Sequence, residues 1–301
     1  MHCERVIGVD LGGTKILAGL VARDGTIGRT IEIPTPDGTQ EQVLRAVDGV
    51  VDDLLGDGAA AIGYGVPLNI DRRTGVALRA TNLPLHEVHF PNRARERYGL
   101  PAGVENDGNA AALAEWRLGA GRGTTDLIML TLGTGVGGGL VIDGGLYRGW
   151  AELGHIVVVA GGVPCQGNCH GRGHLEAVAS GLAADRVAAD LYGSGADAPL
   201  LVQRARGGDA RAVEALGEIG RLLGIAVGSL ANIFDPDVVI VGGGFGAAAG
   251  DLILQPAESA ARGEAIRPAD ETLRLTQAEL GDEAGLIGAA LVGFEALDGV
   301  R

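Results

Sequence analysis

Short apolar runs and glycine clusters alternate from the start of the chain. Residues 6–9 are apolar and lead into Asp10-Leu11-Gly12-Gly13-Thr14-Lys15; residues 16–22 are apolar again, and Asp24-Gly25 follows. The pattern predicts a strand, a tight loop, a second strand and a third over 30–34. Val43, Leu44, Val47, Val51, Leu54 and Leu55 recur at helical spacing, which predicts an amphipathic helix over 40–55. Residues 60–66 read as a buried strand ended by Pro67.

The pattern then returns. Residues 127–132 form an apolar strand, 133–139 a glycine loop and 140–142 another strand before Asp143-Gly144. Setting Leu11-Gly12 over Leu132-Gly133 gives an offset of 121 residues, the mark of a duplicated α/β unit. Helices are expected over 175–191, 210–234 and 284–297, and a very apolar strand over 238–241 running into glycines 242–244 and 246. Strands alternating with helices place the chain in the α/β class with mixed or parallel sheets. The expected division is a smaller domain over 1–117, completed by the segment 284–301, and a larger one over 118–283 carrying a metal loop at 155–174.

Composition narrows the function. The chain has 301 residues, 46% of them hydrophobic, which excludes disorder. Glycine occurs 53 times without a collagen-like period, so it must serve turns and close backbone approaches. A net charge of −14 disfavours nucleic acid and anionic membranes as partners. Lys15 is the only lysine. Three cysteines make a poor disulfide framework and suit a reducing cytoplasm. No apolar run approaches the roughly 18 residues of a membrane span, and the N-terminus lacks a leader pattern.

Glycine loops let backbone N–H groups approach an anion with no Cβ in the way. In the first loop Asp10 ends the strand; it suits a hydrated Mg²⁺, while the Thr14 hydroxyl and the amides suit phosphate oxygens. Glycines 242–244 and 246 suit an adenosine lying against the backbone. Each loop alone is as readily a plain turn, and none is a P-loop or a dinucleotide fingerprint. In Glu105-Asn106-Asp107-Gly108-Asn109, Asp107 precedes a strong helical run; it is either a general base for a hydroxyl or an N-cap. His155, Cys165, Cys169 and His174 read H-x9-C-x3-C-x4-H, a donor set that tetrahedral Zn²⁺ accepts.

Together these motifs resemble, in family order and over essentially the whole chain, the two phosphate motifs and the adenosine motif of the actin–hexokinase superfamily, and in detail the ROK family of bacterial sugar kinases and repressors. The resemblance implies a two-domain actin/hexokinase-like (ribonuclease H-like) α/β fold with duplicated βββαβα units and a cleft between the domains. It implies ATP with Mg²⁺ on Asp10, Gly12, Gly13, Thr14, Lys15, Gly133, Thr134, Gly135, Gly137, Gly243 and Gly244. It implies a sugar held by Asn82, Asn106, Asp107, Glu152, His155 and Glu176, with Asp107 as catalytic base, and a structural Zn²⁺. ROK proteins typically ligate the zinc with one His and three Cys. Here the first Cys sits two residues earlier, the final Cys is His174, and His170 stands where the pattern has glycine, so either histidine is a candidate ligand. Leu68 replaces the last glycine of the family's G-V-P-G stretch, a change placed beside the sugar.

The expected activity is phosphorylation of a hexose at its 6-hydroxyl, glucose first, at the entry of glycolysis. N-acetylmannosamine, fructose, allose or glucosamine are alternative acceptors, and polyphosphate an alternative donor. A non-catalytic sugar-binding regulator of the same family is the rival; its repressor branch carries an N-terminal helix-turn-helix, for which a first strand starting at residue 6 leaves no room. A homo-oligomer, dimer or tetramer, is expected.

Overall fold

The computed structural model describes residues 4–80 and 83–299, and the chain divides into two compact units. The first comprises residues up to Leu118, the short segment Arg148–Trp150, and the chain from Glu283 onward. Its sheet is built from β1 (Arg5–Leu11), β2 (Lys15–Ala22), β3 (Ile27–Pro34), β4 (Ala61–Val66) and β8 (Ala102–Asn106), in the order β3-β2-β1-β4-β8. β1, β4 and β8 run parallel, while β2 and β3 are antiparallel neighbours. A second, three-stranded sheet of β5 (Leu68–Asp71), β6 (Val76–Ala80) and β7 (His86–Val88) is inserted between β4 and α2 (Phe90–Tyr98).

Helix α1 (Gln40–Leu55) forms where the apolar spacing predicts it, and Thr39 with Gln42 closes a capping box at its start. It buries Val43, Leu44, Val47, Val50, Val51 and Leu54. α3 (Asp107–Leu118) is alanine-rich and buried along most of its length.

The other face of this sheet carries the closing helix α10 (Ala284–Leu297). Gly8, Gly63 and Gly103 are partners in register on β1, β4 and β8. A Cβ on Gly63 would stand 1.7 Å from the Ala289 carbonyl oxygen, one on Gly8 2.5 Å from that of Leu286, and one on Gly103 2.5 Å from that of Val292. α10 therefore lies on bare backbone. Against α3 the approach is as close, since a Cβ on Gly288 would fall 1.9 Å from the Ala110 carbonyl oxygen.

The second unit spans Gly119–Tyr147 and Ala151–Asp282. Its sheet uses β9 (Leu127–Leu132), β10 (Val136–Ile142), β11 (Gly145–Leu146), β12 (Val238–Gly242) and β13 (Leu275–Gln277), in the order β11-β10-β9-β12-β13. That is the order and direction of the first sheet, so the duplication read from the glycine loops is present in both sheets. Its helices are α4 (Leu175–Ala179), α5 (Gly181–Tyr192), α6 (Ala198–Arg206), α7 (Ala210–Phe234), α8 (Gly243–Glu264) and α9 (Ala269–Thr272).

Three expectations need correction. Residues 175–191 are two helices, because Ser180 leaves the helical conformation and caps α5 through Ala183 N–H. The glycine loop at 133–139 stops at Gly135; β10 already begins at Val136, and Gly137, Gly138 and Gly139 pair with Thr131, Leu130 and Met129. Finally, α7 is long and apolar enough to cross a membrane by length and composition, the one such helix among the described residues. Gly220, Gly224 and Gly228 let α7 touch the backbone of α8 at Ile253, Ala257 and Ala261, and more than half of its apolar window is buried inside the protein.

Gly63→Ala forces a methyl into the Ala289 carbonyl and is expected to destabilise the first unit by about 1–3 kcal/mol. Gly49→Ala, on the exposed side of α1 with open space at its Cβ, is expected to stabilise by about 1 kcal/mol. Urea unfolding midpoints should move in opposite directions.

Candidate functional site

In both units several candidate residues, among them Asp10, Asp107, Gly133 and Gly243, lie at or just past the carboxyl ends of parallel strands, where open α/β sheets bind ligands. Asp10 stands at the end of β1, paired in register with Gly65. Burial pushes its carboxyl up to about 6, against a smaller opposing pull from Lys15. The start of α10 presses on it: a Cβ at Gly285 would lie 2.3 Å from Asp10 Oδ2. Beyond Asp10 the turn is closed by Gly12 N–H donating to Lys15 O at 2.9 Å and by the Thr35 hydroxyl donating to Gly12 O at 2.8 Å. Gly13 and Thr14 are exposed on this turn. The Lys15 ammonium pairs with Glu32 across the β2–β3 ladder at 2.9 Å.

β8 passes into α3 without a loop. Asn106 caps that helix: its Oδ1 accepts from Gly108 N–H at 2.9 Å and Asn109 N–H at 3.2 Å. Asp107 is the first helical residue, and its Oδ1 accepts from Gly108 N–H at 2.8 Å. The capping duty that competes with a catalytic role for Asp107 thus falls to its neighbour. An acidic side chain in the first turn interacts favourably with the helix amides. With Asn106 Oδ1 committed to the cap, its NH₂ is the group suited to a hydroxyl ligand.

Behind this junction lies Glu105, fully buried. Its carboxylate accepts from Asn106 N–H at 2.9 Å, Asn109 Nδ2 at 3.1 Å, both Arg72 terminal nitrogens at 2.9 and 2.5 Å, and Arg148 Nη1 at 3.1 Å. Arg148 also pairs with Glu295 on α10. A buried charge is tolerable only with such pairing, and here the pairing fixes the strand end that carries Asn106 and Asp107. Sequence reasoning gave Glu105 no role; a charged residue closing a buried strand was the available signal. Arg72 and Arg148 carry no local signal. Asn82 lies outside the described residues. Leu68, expected beside the ligand, is 1% exposed within the first unit's apolar core, because its strand pairs with Ala80.

In the second unit the loop after β9 is held from several sides. Gly133 N–H donates to Gly135 O at 2.9 Å, and Gly181 N–H, at the start of α5, donates to Gly133 O at 2.7 Å. Thr134 is exposed at the tip, whereas Gly137 lies within β10. Next to this loop, Gly243 (φ +80°) turns the chain from β12 into α8; a Cβ there would meet Leu132 O at 2.6 Å. Gly244 faces open space, and no side chain caps α8. Its first amides are therefore available to an anion or a ribose.

His155 sits on a short 3₁₀ turn, Leu153–His155, directly after Glu152. The turn lies against β10, where a Cβ on Gly154 would be 2.1 Å from Val136 O. His155, Cys165, Cys169 and His174 come together with their ligand atoms all within 4.8 Å. His155 Nδ1 is 3.4 Å from His174 Nδ1 and 3.8 Å from Cys165 Sγ, and Cys169 Sγ is 3.5 Å from His174 Nδ1. His174 rather than His170 joins the other three. Burial pushes the Cys165 thiol up to about 11. Glu176, just after His174, accepts from Val136 N–H through Oε2 at 3.0 Å.

The family model described as ROK family matches residues 6–294. The glucokinase of Streptomyces coelicolor is 36% identical over 310 residues, covering 94% of this chain and 96% of that protein. The glucokinase of Thermotoga maritima is 36% identical over 316 residues, covering 98% and 99%. Among solved structures, a ROK family glucokinase from Streptomyces griseus in complex with glucose and AMPPNP superposes with a TM-score of 0.85 at 37% identity, covering 97% of this chain and 99% of that one.

Asp10 yields a pH signature. Its folded pKa of about 6 lies above the ordinary 3.8, so the folded chain keeps a proton that the unfolded chain has released. Charging Asp10 therefore costs stability as pH rises from about 4 to about 6. Asp10→Asn removes that cost. The variant's stability relative to the native chain is expected to rise across this window and then level off, by on the order of 1–3 kcal/mol. Unfolding midpoints measured from pH 4 to 8 check it.

Proposed function

The chain belongs to the ROK family, and from that premise we propose that it is an ATP-dependent hexose kinase, a glucokinase that phosphorylates glucose at its 6-hydroxyl. The observation that carries this reading is the strand-to-helix junction at β8 and α3. Asn106 supplies the cap, Glu105 and its arginines fix the strand end, and Asp107 is presented in the first turn as a carboxylate. The relatives named glucokinase, and the structure with glucose and a nucleotide analogue, support the same assignment.

In this reading Asp107 accepts the proton of the 6-hydroxyl as the oxygen attacks the γ-phosphorus in line. The bond from that phosphorus to the β,γ-bridging oxygen breaks, ADP leaves, and the proton stays on the carboxyl until solvent takes it. Taken unit by unit, the Asn106 NH₂ of the first, and Glu152, His155 and Glu176 of the second, are groups suited to hexose hydroxyls. Within the first unit the turn at Gly12–Thr14 suits donor phosphates; within the second, the loop at Gly133–Gly135 suits phosphates and Gly243 and Gly244 suit the nucleoside. Asp10 would hold Mg²⁺, which supplies charge neutralisation on the phosphates when bound. The rest of the catalysis is positioning and charge stabilisation.

Two thiols and two imidazoles converging on one point fit Zn²⁺. Four protein ligands leave it no open position, so its contribution is to fix the segment bearing His155 and Glu176. Thiols that a bound cation would deprotonate, together with ATP as donor, support a reducing, cytoplasmic compartment.

An ADP-release assay across a hexose panel should show turnover with glucose above N-acetylmannosamine, fructose, allose and glucosamine; silence with every sugar sinks the assignment. Asp107→Ala is expected to lower kcat by about 10²–10⁴-fold while glucose binding by calorimetry persists. Elemental analysis should find one zinc per chain, lost in Cys169→Ser and His174→Ala and retained in His170→Ala.

A further inference from the structure

One side chain of the metal-bearing segment is used neither by the cluster nor by the sugar ligands. Gln166, between Cys165 and Cys169, turns towards the glycine loop after β9. Its Nε2 donates to the Thr134 carbonyl at 3.2 Å and to the Ser180 hydroxyl at 3.4 Å. Its Oε1 is buried without a partner. The two bonds donated by Nε2 fix the orientation of the amide towards the loop.

From the other end of the same segment Glu176 reaches the same loop. Its Oε2 accepts from Val136 N–H at 3.0 Å, and its Oε1 stands 3.8 Å from Cys165 Sγ. Between these two holds lies Gly135, where a Cβ would come 2.1 Å from Glu176 Oε2 and 3.6 Å from Gln166 Nε2. The loop is thus gripped at the carbonyl of Thr134 and the amide of Val136 by residues flanking Cys165 and His174. A glycine-rich loop left alone would lose much conformational freedom on closing round a phosphate, and a loop already held pays less of that entropy on binding.

We propose that Gln166 is a positioning residue for the donor nucleotide: it holds the Gly133–Gly135 loop in its phosphate-binding form and ties that form to the order of the Cys/His cluster. The proposal rests on the reading of this loop as a donor-phosphate site. It departs from a purely acceptor-side role for the cluster, because the contacts run to the loop as well as to the segment carrying His155 and Glu176.

The test is titration calorimetry of the full-length protein with a non-hydrolysable ATP analogue and Mg²⁺, beside steady-state KM values for ATP and glucose. Gln166→Ala is expected to weaken the analogue about tenfold, the worth of one to two neutral hydrogen bonds. KM for ATP should rise in parallel, KM for glucose less than twofold, and zinc content should stay native. Gln166→Glu keeps the length but presents an acceptor to the Thr134 carbonyl, so it should bind the analogue no better than Gln166→Ala. Cys165→Ser should weaken the analogue as well, and its combination with Gln166→Ala should cost less than the sum. Unchanged analogue affinity in Gln166→Ala, or equal rises in both KM values, overturns the proposal while leaving the kinase assignment standing. Failure of the native protein to bind the analogue overturns both.

Discussion

The closing helix rests on bare backbone. Gly8, Gly63 and Gly103 stand side by side in register on three parallel strands, and α10 occupies the lane that their missing side chains leave. Contact at this distance is steric and admits no compromise: a single methyl group at Gly63 would enter the Ala289 carbonyl. Because α10 is fixed there, its first turn brings Gly285 onto the Asp10 carboxylate, and its last turns bring Glu295 to Arg148. The same packing that completes the first unit therefore desolvates Asp10 and anchors one arginine of the Glu105 network.

Charge is handled differently at the two acids of this unit. Glu105 is buried and accepts from two arginines, an asparagine and a main-chain amide, so its charge is spread over fixed donors. Asp10 is desolvated with less compensation, and its carboxyl rises to about 6. Such a group is poised to exchange a proton for a cation. Burial at Asp10 goes largely uncompensated, whereas at Glu105 it is met by fixed donors that also hold the strand end before Asn106 and Asp107.

The second unit repeats the strand order and solves a different problem. Its glycine loop has no side chains with which to hold itself, so neighbours hold it: the first amides of α5, Gln166 and Glu176. The long α7–α8 contact beneath is again a lane of small residues, Gly220, Gly224 and Gly228 against the α8 backbone. Close approach of backbones is what these glycines achieve in both units.

Local pattern sufficed for α1, α7, α10 and the paired hairpins, because amphipathic spacing, a capping box and glycine turns act over a few residues and override little else. The candidate residues stood out too: Asp10, Asp107, the glycine turns and the H-x9-C-x3-C-x4-H set are marked by type and spacing, while their proposed roles come from the family resemblance. Sequence alone could not show that Asn106 rather than Asp107 caps α3, that Leu68 turns into the core, or that His174 and not His170 joins the cluster, since each depends on which way a side chain points. Nor could it find Arg72, Arg148 or Gln166, whose partners lie 33, 43 and 32 residues away in the chain. Type and period are written locally, whereas the pairing of distant charges and the gripping of a side-chain-free loop exist only once the strands are in register and the helices are packed.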